Sequence, residues 1–213
     1  GAEGYDIERA AAPQGPWSVI AENVSDADVA YRPLFSDERA KAGETWCYRV
    51  TARNAGGRSQ PSNASGPVKV EAVCFVDEFK DLSRASGQTD GLTLDNTYNA
   101  WYAEYLFRVK GGTNDWLSYA VPGAIRELRV TAFFTAGEVR DPEFSFSPDG
   151  AAFAAVTPQR AERPLRAIPK GDAKKRQVLV TYTLAPPADL RQAKILWSGP
   201  MALDRVEIEH DGR

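Results

Sequence analysis

Tyr48, Val50 and Ala52 alternate with Cys47, Arg49, Thr51 and Arg53, and Asn54 and Gly57 follow directly. A period of two over this length is the signature of a strand with one buried face. The Asn and Gly positions end it in a turn. Residues 46–53 therefore predict a strand whose Tyr48, Val50 and Ala52 point into a core. Short runs of the same kind, separated by Gly, Pro and Asp, recur along the chain, and no long amphipathic helix interrupts them. That pattern constrains the chain to an all-β fold.

The 213 residues give room for one large domain or two of about 100 residues each. A hydrophobic content of 43% with 26% charged residues fits a soluble globular protein. No run reaches the roughly 18 apolar residues of a membrane span, and Gly1-Ala2-Glu3-Gly4 has neither the basic start nor the apolar core of a secretory signal. The net charge is −3 with both signs interspersed, so there is no basic footprint for nucleic acid. The densest basic run, Lys174-Lys175-Arg176, reads as a solvated loop. The single histidine, His210, stands in a tail expected to fray, which argues against a His-based triad or multi-His metal site.

Residues 1–73 carry a first resemblance. Tyr5-Asp6-Ile7-Glu8-Arg9 alternates, Gly15-Pro16 marks a turn, and Trp17-Ser18-Val19-Ile20-Ala21 is a further strand. Val68-Lys69-Val70-Glu71-Ala72 alternates again. With the pattern Tyr-x-Val-x-Ala-x-Asn-x-x-Gly at 48–57, this region resembles a fibronectin type III domain. The resemblance implies that Tyr48 is a corner residue, its ring in the core and its hydroxyl on backbone. It also aligns Gly4–Arg9 with the family's third strand, leaving the first two without a counterpart. Half a sandwich would then expose an edge and a core, so either the early strands are lost or, the favoured expectation, an upstream polypeptide contacts residues 1–50. If the strands at 46–53 and 66–73 form an antiparallel hairpin, Cys47 and Cys74 lie near opposite each other. A Cys47–Cys74 disulfide in an oxidising compartment follows; the alternative is two separate buried thiols.

Residues 74–213 carry a second resemblance. Strand-like runs at 92–94, 105–107, 117–121, 128–133, 144–146, 178–182, 193–197 and 203–208 suggest a jelly-roll sandwich. The order Asp77-Glu78-Phe79-x-Asp81-Leu82-Ser83, Phe144-Ser145-Phe146-Ser147-Pro148-Asp149-Gly150-x-x-Phe153, Lys194-Ile195-Leu196-Trp197 and Asp204-Arg205-Val206-Glu207-Ile208 is similar to the galactose-binding-like modules of secreted bacterial glycosidases and polysaccharide lyases. Many such modules bind carbohydrate, and some only brace a catalytic domain. The resemblance implies a structural calcium ion near the terminal strands, for which Asp77, Glu78, Asp204 and Glu207 are candidates by position; no other cofactor is implied.

Candidate carbohydrate contacts follow from residue type. Asn99, Trp101 and Tyr102 lie in a polar and aromatic stretch, and Asp115 and Trp116 follow a Gly-Gly-Thr-Asn loop. A flat ring stacks on a pyranose while amides and charges bond its hydroxyls; the competing reading is that Trp101 and Trp116 are packing residues. Arg108 suits a sugar acid or hydroxyl pair, or a surface salt bridge. Trp197 ends an alternating strand and reads as core, and the Ser147–Gly150 sequence reads as a structural hairpin turn. No carboxylate pair stands in a recognisable glycosidase context.

The expectation is a non-catalytic C-terminal segment of a secreted bacterial carbohydrate-active enzyme, a glycoside hydrolase or polysaccharide lyase. Its partner is a polysaccharide or the catalytic body it braces. The alternatives are a purely structural module, or one chain of a processed enzyme whose catalytic residues lie upstream.

Overall fold

The structure, a computed structural model, describes residues 1–24, 35–99, 104, 105, 107–164, 177–187 and 189–212. Every regular element among them is a β-strand, and no helix is long and apolar enough to cross a membrane. The chain divides into two compact units, Gly1–Val73 with Tyr98–Tyr105, and Cys74–Thr97 with Leu106–Arg213.

The first unit includes β1 (Gly4–Ala10), β2 (Ser18–Val24), β3 (Thr45–Asn54), β4 (Gly57–Arg58) and β5 (Val68–Lys69). They make one sheet, ordered β2-β1-β3-β4, with β5 also on β3. The β1–β3 ladder runs unbroken from Gly4↔Arg53 to Ala10↔Cys47. Its burial differs from the alternation read in the sequence. Cys47 and Thr51 are the most buried positions of β3, whereas Tyr48, Val50 and Ala52 are half-buried. Long side chains on the Cys47 face are responsible. Arg49 forms a two-pronged pair with Glu8, both bonds 2.9 Å, and lies over the Trp17 ring at 4.4 Å. Arg53 reaches Asp6 at 3.1 Å. Stems folded flat across a sheet bury the small residues beneath them.

Tyr48 departs from the corner arrangement. Its hydroxyl donates to the Asp37 carboxylate at 3.0 Å rather than to backbone. Arg9, placed beside Tyr48 by the ladder, draws Asp37 in with a 2.7 Å ion pair. Burial and this carboxylate push the Tyr48 phenol up to about 12.

The free edge of β3 is closed by serines. Ser59, Ser62 and Ser65 donate their backbone N–H groups to the carbonyls of Ala52, Val50 and Tyr48 at 2.9, 2.8 and 2.7 Å. Each Oγ accepts the N–H of the same residue, at 3.0, 3.0 and 2.9 Å. Three residues of the serine segment thus match two of the strand. Pro61, which has no N–H, falls where none is needed. The register then passes to β5 through Trp46↔Val68 and Thr45↔Lys69. Continued, it puts Pro67 opposite Cys47. Cys74 instead belongs to β6 (Val73–Asp77), which pairs in another sheet. The expected disulfide is absent: neither Cys47 nor Cys74 is in a disulfide.

The remaining strands are β7 (Gly87–Gln88), β8 (Thr93–Asp95), β9 (Tyr98–Asn99), β10 (Glu104–Tyr105), β11 (Arg108–Gly111), β12 (Trp116–Ala120), β13 (Ile125–Thr135), β14 (Glu143–Ser147), β15 (Ala154–Ala155), β16 (Gln159–Pro164), β17 (Gln177–Leu184), β18 (Gln192–Leu196) and β19 (Met201–His210). Among the described residues β9 and β10 pair only with each other. The others form two sheets: β16-β17-β13-β19-β11-β8 with β6 on β19, and β15-β14-β18-β12-β7. Alternate residues of both sheets meet in one core, with Leu128, Val130 and Ala132 from β13, Phe144 and Phe146 from β14, and Ile195 from β18. Trp197 completes it as the sequence predicts. The Ser147 hydroxyl and Gly150, at φ 85°, shape the β14–β15 turn. His210 does not fray. It closes β19 opposite Ile125, buried, with Nδ1 accepting the Gly212 N–H at 3.0 Å.

Candidate functional site

The β12 loop is built around Asp115. Its Oδ1 accepts the Thr89 hydroxyl and its Oδ2 the Gly112 N–H, both at 2.8 Å. Thr89 Oγ1 in turn accepts the Trp116 N–H at 3.1 Å. Gly91 makes room, since a Cβ there would meet Asp115 Oδ1 at 2.2 Å. Asp115 is thus a clasp rather than an outward contact, and it fixes where Trp116 begins β12. Leu117 and Tyr119 enter the core, so Trp116 falls on the opposite face of the smaller sheet, half-exposed. There the Lys194 ammonium lies 4.4 Å from its ring centroid and 5.8 Å from that of Phe153. Lys194 and Phe153 were not picked out from the sequence as contacts. The available signal was the parity of Lys194 in β18, two positions after Gln192 and between the core residues Ala193 and Ile195.

The other expected contacts do not join them. Arg108 is 3% exposed, stacked 3.6 Å over Phe133 and paired with Asp204 at 3.6 Å. Its guanidinium belongs to a buried ion pair. Asn99 is in β9, opposite Glu104; Trp101 and Tyr102 lie outside the described residues.

The proposed calcium ligands are engaged elsewhere. Asp77 Oδ1 accepts the Phe79 N–H and its Oδ2 the Tyr119 hydroxyl, both at 2.9 Å. Burial raises its carboxyl above the usual range despite these bonds. Glu78 and Glu207 flank the Arg205 guanidinium at 2.5 and 2.9 Å. Asp204, the extra residue of a bulge between Leu203 and Arg205, faces Arg108. A dication would meet arginine cations already placed between these carboxylates. The donor set does not fit calcium, and no group of three metal-ligating side chains occurs among the described residues.

No protein-family model matches the chain, and no curated protein does. A solved structure described as a novel family GH115 4-O-methyl-alpha-glucuronidase, BtGH115A, with specificity for decorated arabinogalactans, is similar over 71% of this chain at 12% identity and a TM-score of 0.35. The match takes in 20% of that structure's own chain.

Proposed function

We propose that this chain is a non-catalytic part of a secreted bacterial carbohydrate-active enzyme, with a fibronectin-like connecting unit and a glycan-contacting β-sandwich. The observation that carries the reading is the placement of Trp116. Its indole is half-exposed, seated on a sheet whose other side is core, and its loop is clasped by Asp115. A preorganised flat ring is what a pyranose face stacks on. Binding of this kind is weak per site and gains effect by tethering to a catalytic partner.

A second part of the reading is an upstream polypeptide that adds strands to the sheet of β1–β5, where β2 stands at one end of the strand order. Native mass spectrometry of the non-reduced material from its source tests this; a lone 23.3 kDa species counts against it.

The glycan reading is tested by retention on insoluble polysaccharides. Trp116→Ala is expected to abolish retention while leaving the melting temperature within a few degrees of wild type. Unchanged retention would remove Trp116 as the contact and favour the alternative, a bracing module.

A further inference from the structure

We propose that the open face of the five-stranded sheet takes a uronate-bearing polysaccharide, and that Lys194 reads its carboxylate. This rests on the glycan reading above and names the substrate class.

The strand registers align Gly87, Ser118, Lys194, Ser145 and Ala155 in one row, one residue from each strand. Paired residues of neighbouring strands point to the same side. The row therefore crosses the strands as small residues with one long side chain, Lys194, at its centre. Trp116 stands toward the β7 side and Phe153 toward the β15 side, and the Lys194 ammonium lies between the two rings. Trp116 can lie this low because β7 has a glycine there; a Cβ on Gly87 would come within 3.2 Å of the outer edge of the indole.

Lys194 differs in its surroundings from several cations of this unit and resembles Lys80, whose ammonium lies 5.3 Å from the Phe107 ring centroid. Lys110, Arg129, Arg160 and Arg205 are each in an ion pair. Lys194 has aromatic contacts and no carboxylate partner among the described residues. An exposed cation–π contact is worth only about 0.5–1 kcal/mol, so the ammonium is readily recruited by a ligand carboxylate. A charge-assisted bond to that carboxylate is the stronger interaction. The surroundings set the charge density of the ligand. Among the described residues Lys194 is the one cation of that row, and exposed Glu143 sits one row away beside Leu196. That balance suits a polymer with a single carboxylate per sugar and opposes a densely sulfated one.

The test is affinity electrophoresis of the full chain through gels containing polygalacturonate, with galactan and dextran as neutral polymers. Polygalacturonate is expected to retard the wild type most, and added salt to weaken the effect. Lys194→Met, which keeps the stem, is expected to bind about fivefold more weakly. Lys194→Arg is expected to bind as wild type, and Glu143→Lys more tightly. Equal retardation of wild type and a folded Lys194→Met overturns the proposal, as does a Glu143→Lys variant that binds no better. If the neutral polymers retard the wild type equally and only Trp116→Ala abolishes it, the acidic assignment falls and the glycan reading stands. If no polymer retards the wild type, both fall.

Discussion

Phe79 holds a backbone conformation that bulky side chains rarely adopt, with φ at 56° and its ring fully buried. Asp77 supports it by accepting the Phe79 N–H while its other oxygen takes the Tyr119 hydroxyl. These two donors offset part of the cost of burying this carboxylate. Asp77→Ala is expected to lower unfolding free energy by about 2–3 kcal/mol and Tyr119→Phe by about 1–2 kcal/mol. In urea titrations the double variant should lose less than the sum, because the two share a bond; strict additivity would show the pairing contributes nothing. His210 gives a pH signature. Burial holds its imidazole below the ordinary value, so the native state binds the proton less readily than the unfolded chain. Its contribution is complete above about pH 6.5, the unfolded value, and is lost as pH falls from there through the lower native value. His210→Asn, which retains an acceptor for Gly212, should flatten the decline of the urea midpoint between pH 7 and pH 5.5.

Among the elements, the serine segment along β3 is the least expected. Strand edges invite pairing with other chains, and here Ser59, Ser62 and Ser65 occupy that edge with two bonds each. Backbone bonds remain when a hydroxyl is removed, so the effect should be local. Ser65→Ala is expected to cost about 0.5–1.5 kcal/mol and to speed hydrogen exchange at the Tyr48 amide. Ser62→Ala should do the same at Val50, with a smaller loss because that bond is exposed. Unaltered exchange at both amides would mean that the hydroxyls contribute nothing to the seal.

At the scale of the whole molecule the two units are unequal. Buried apolar residues in the first are Ile7, Ala10, Ile20, Ala40 and Cys47 among those described, none of them aromatic. The second has a continuous core that includes Phe79, Tyr119, Phe144, Phe146, Tyr182 and Trp197. Stabilisation follows apolar area removed from water, so amides of β1 and β3 are expected to exchange faster than those of β13 and β19. Equal protection throughout would contradict this. The thiols offer a second check. Cys47 is 0% exposed and Cys74 is half-buried, so Cys74 should react first with a thiol reagent in the native state. Reduction should leave the mass unchanged.

By itself the sequence determined the all-β class, most strand positions, the core role of Trp197 and the turn at Ser147–Gly150. Each depends on neighbours within a few residues, and alternation and turn chemistry are local signals. Tertiary structure decided what alternation leaves open. Which face of β3 is more buried depended on Glu8 and Trp17, which separate segments bring to Arg49. The Tyr48 hydroxyl went to Asp37 because Arg9 stands beside it in the ladder. Arg108 was legible as a cation, but its burial against Phe133 and Asp204 required three strands to meet. Lys194 and Trp116 are 78 positions apart in the sequence; only the pairing of β12 with β18 puts one beside the other. Long-range register places distant side chains on a common face, and no short window of the chain contains it.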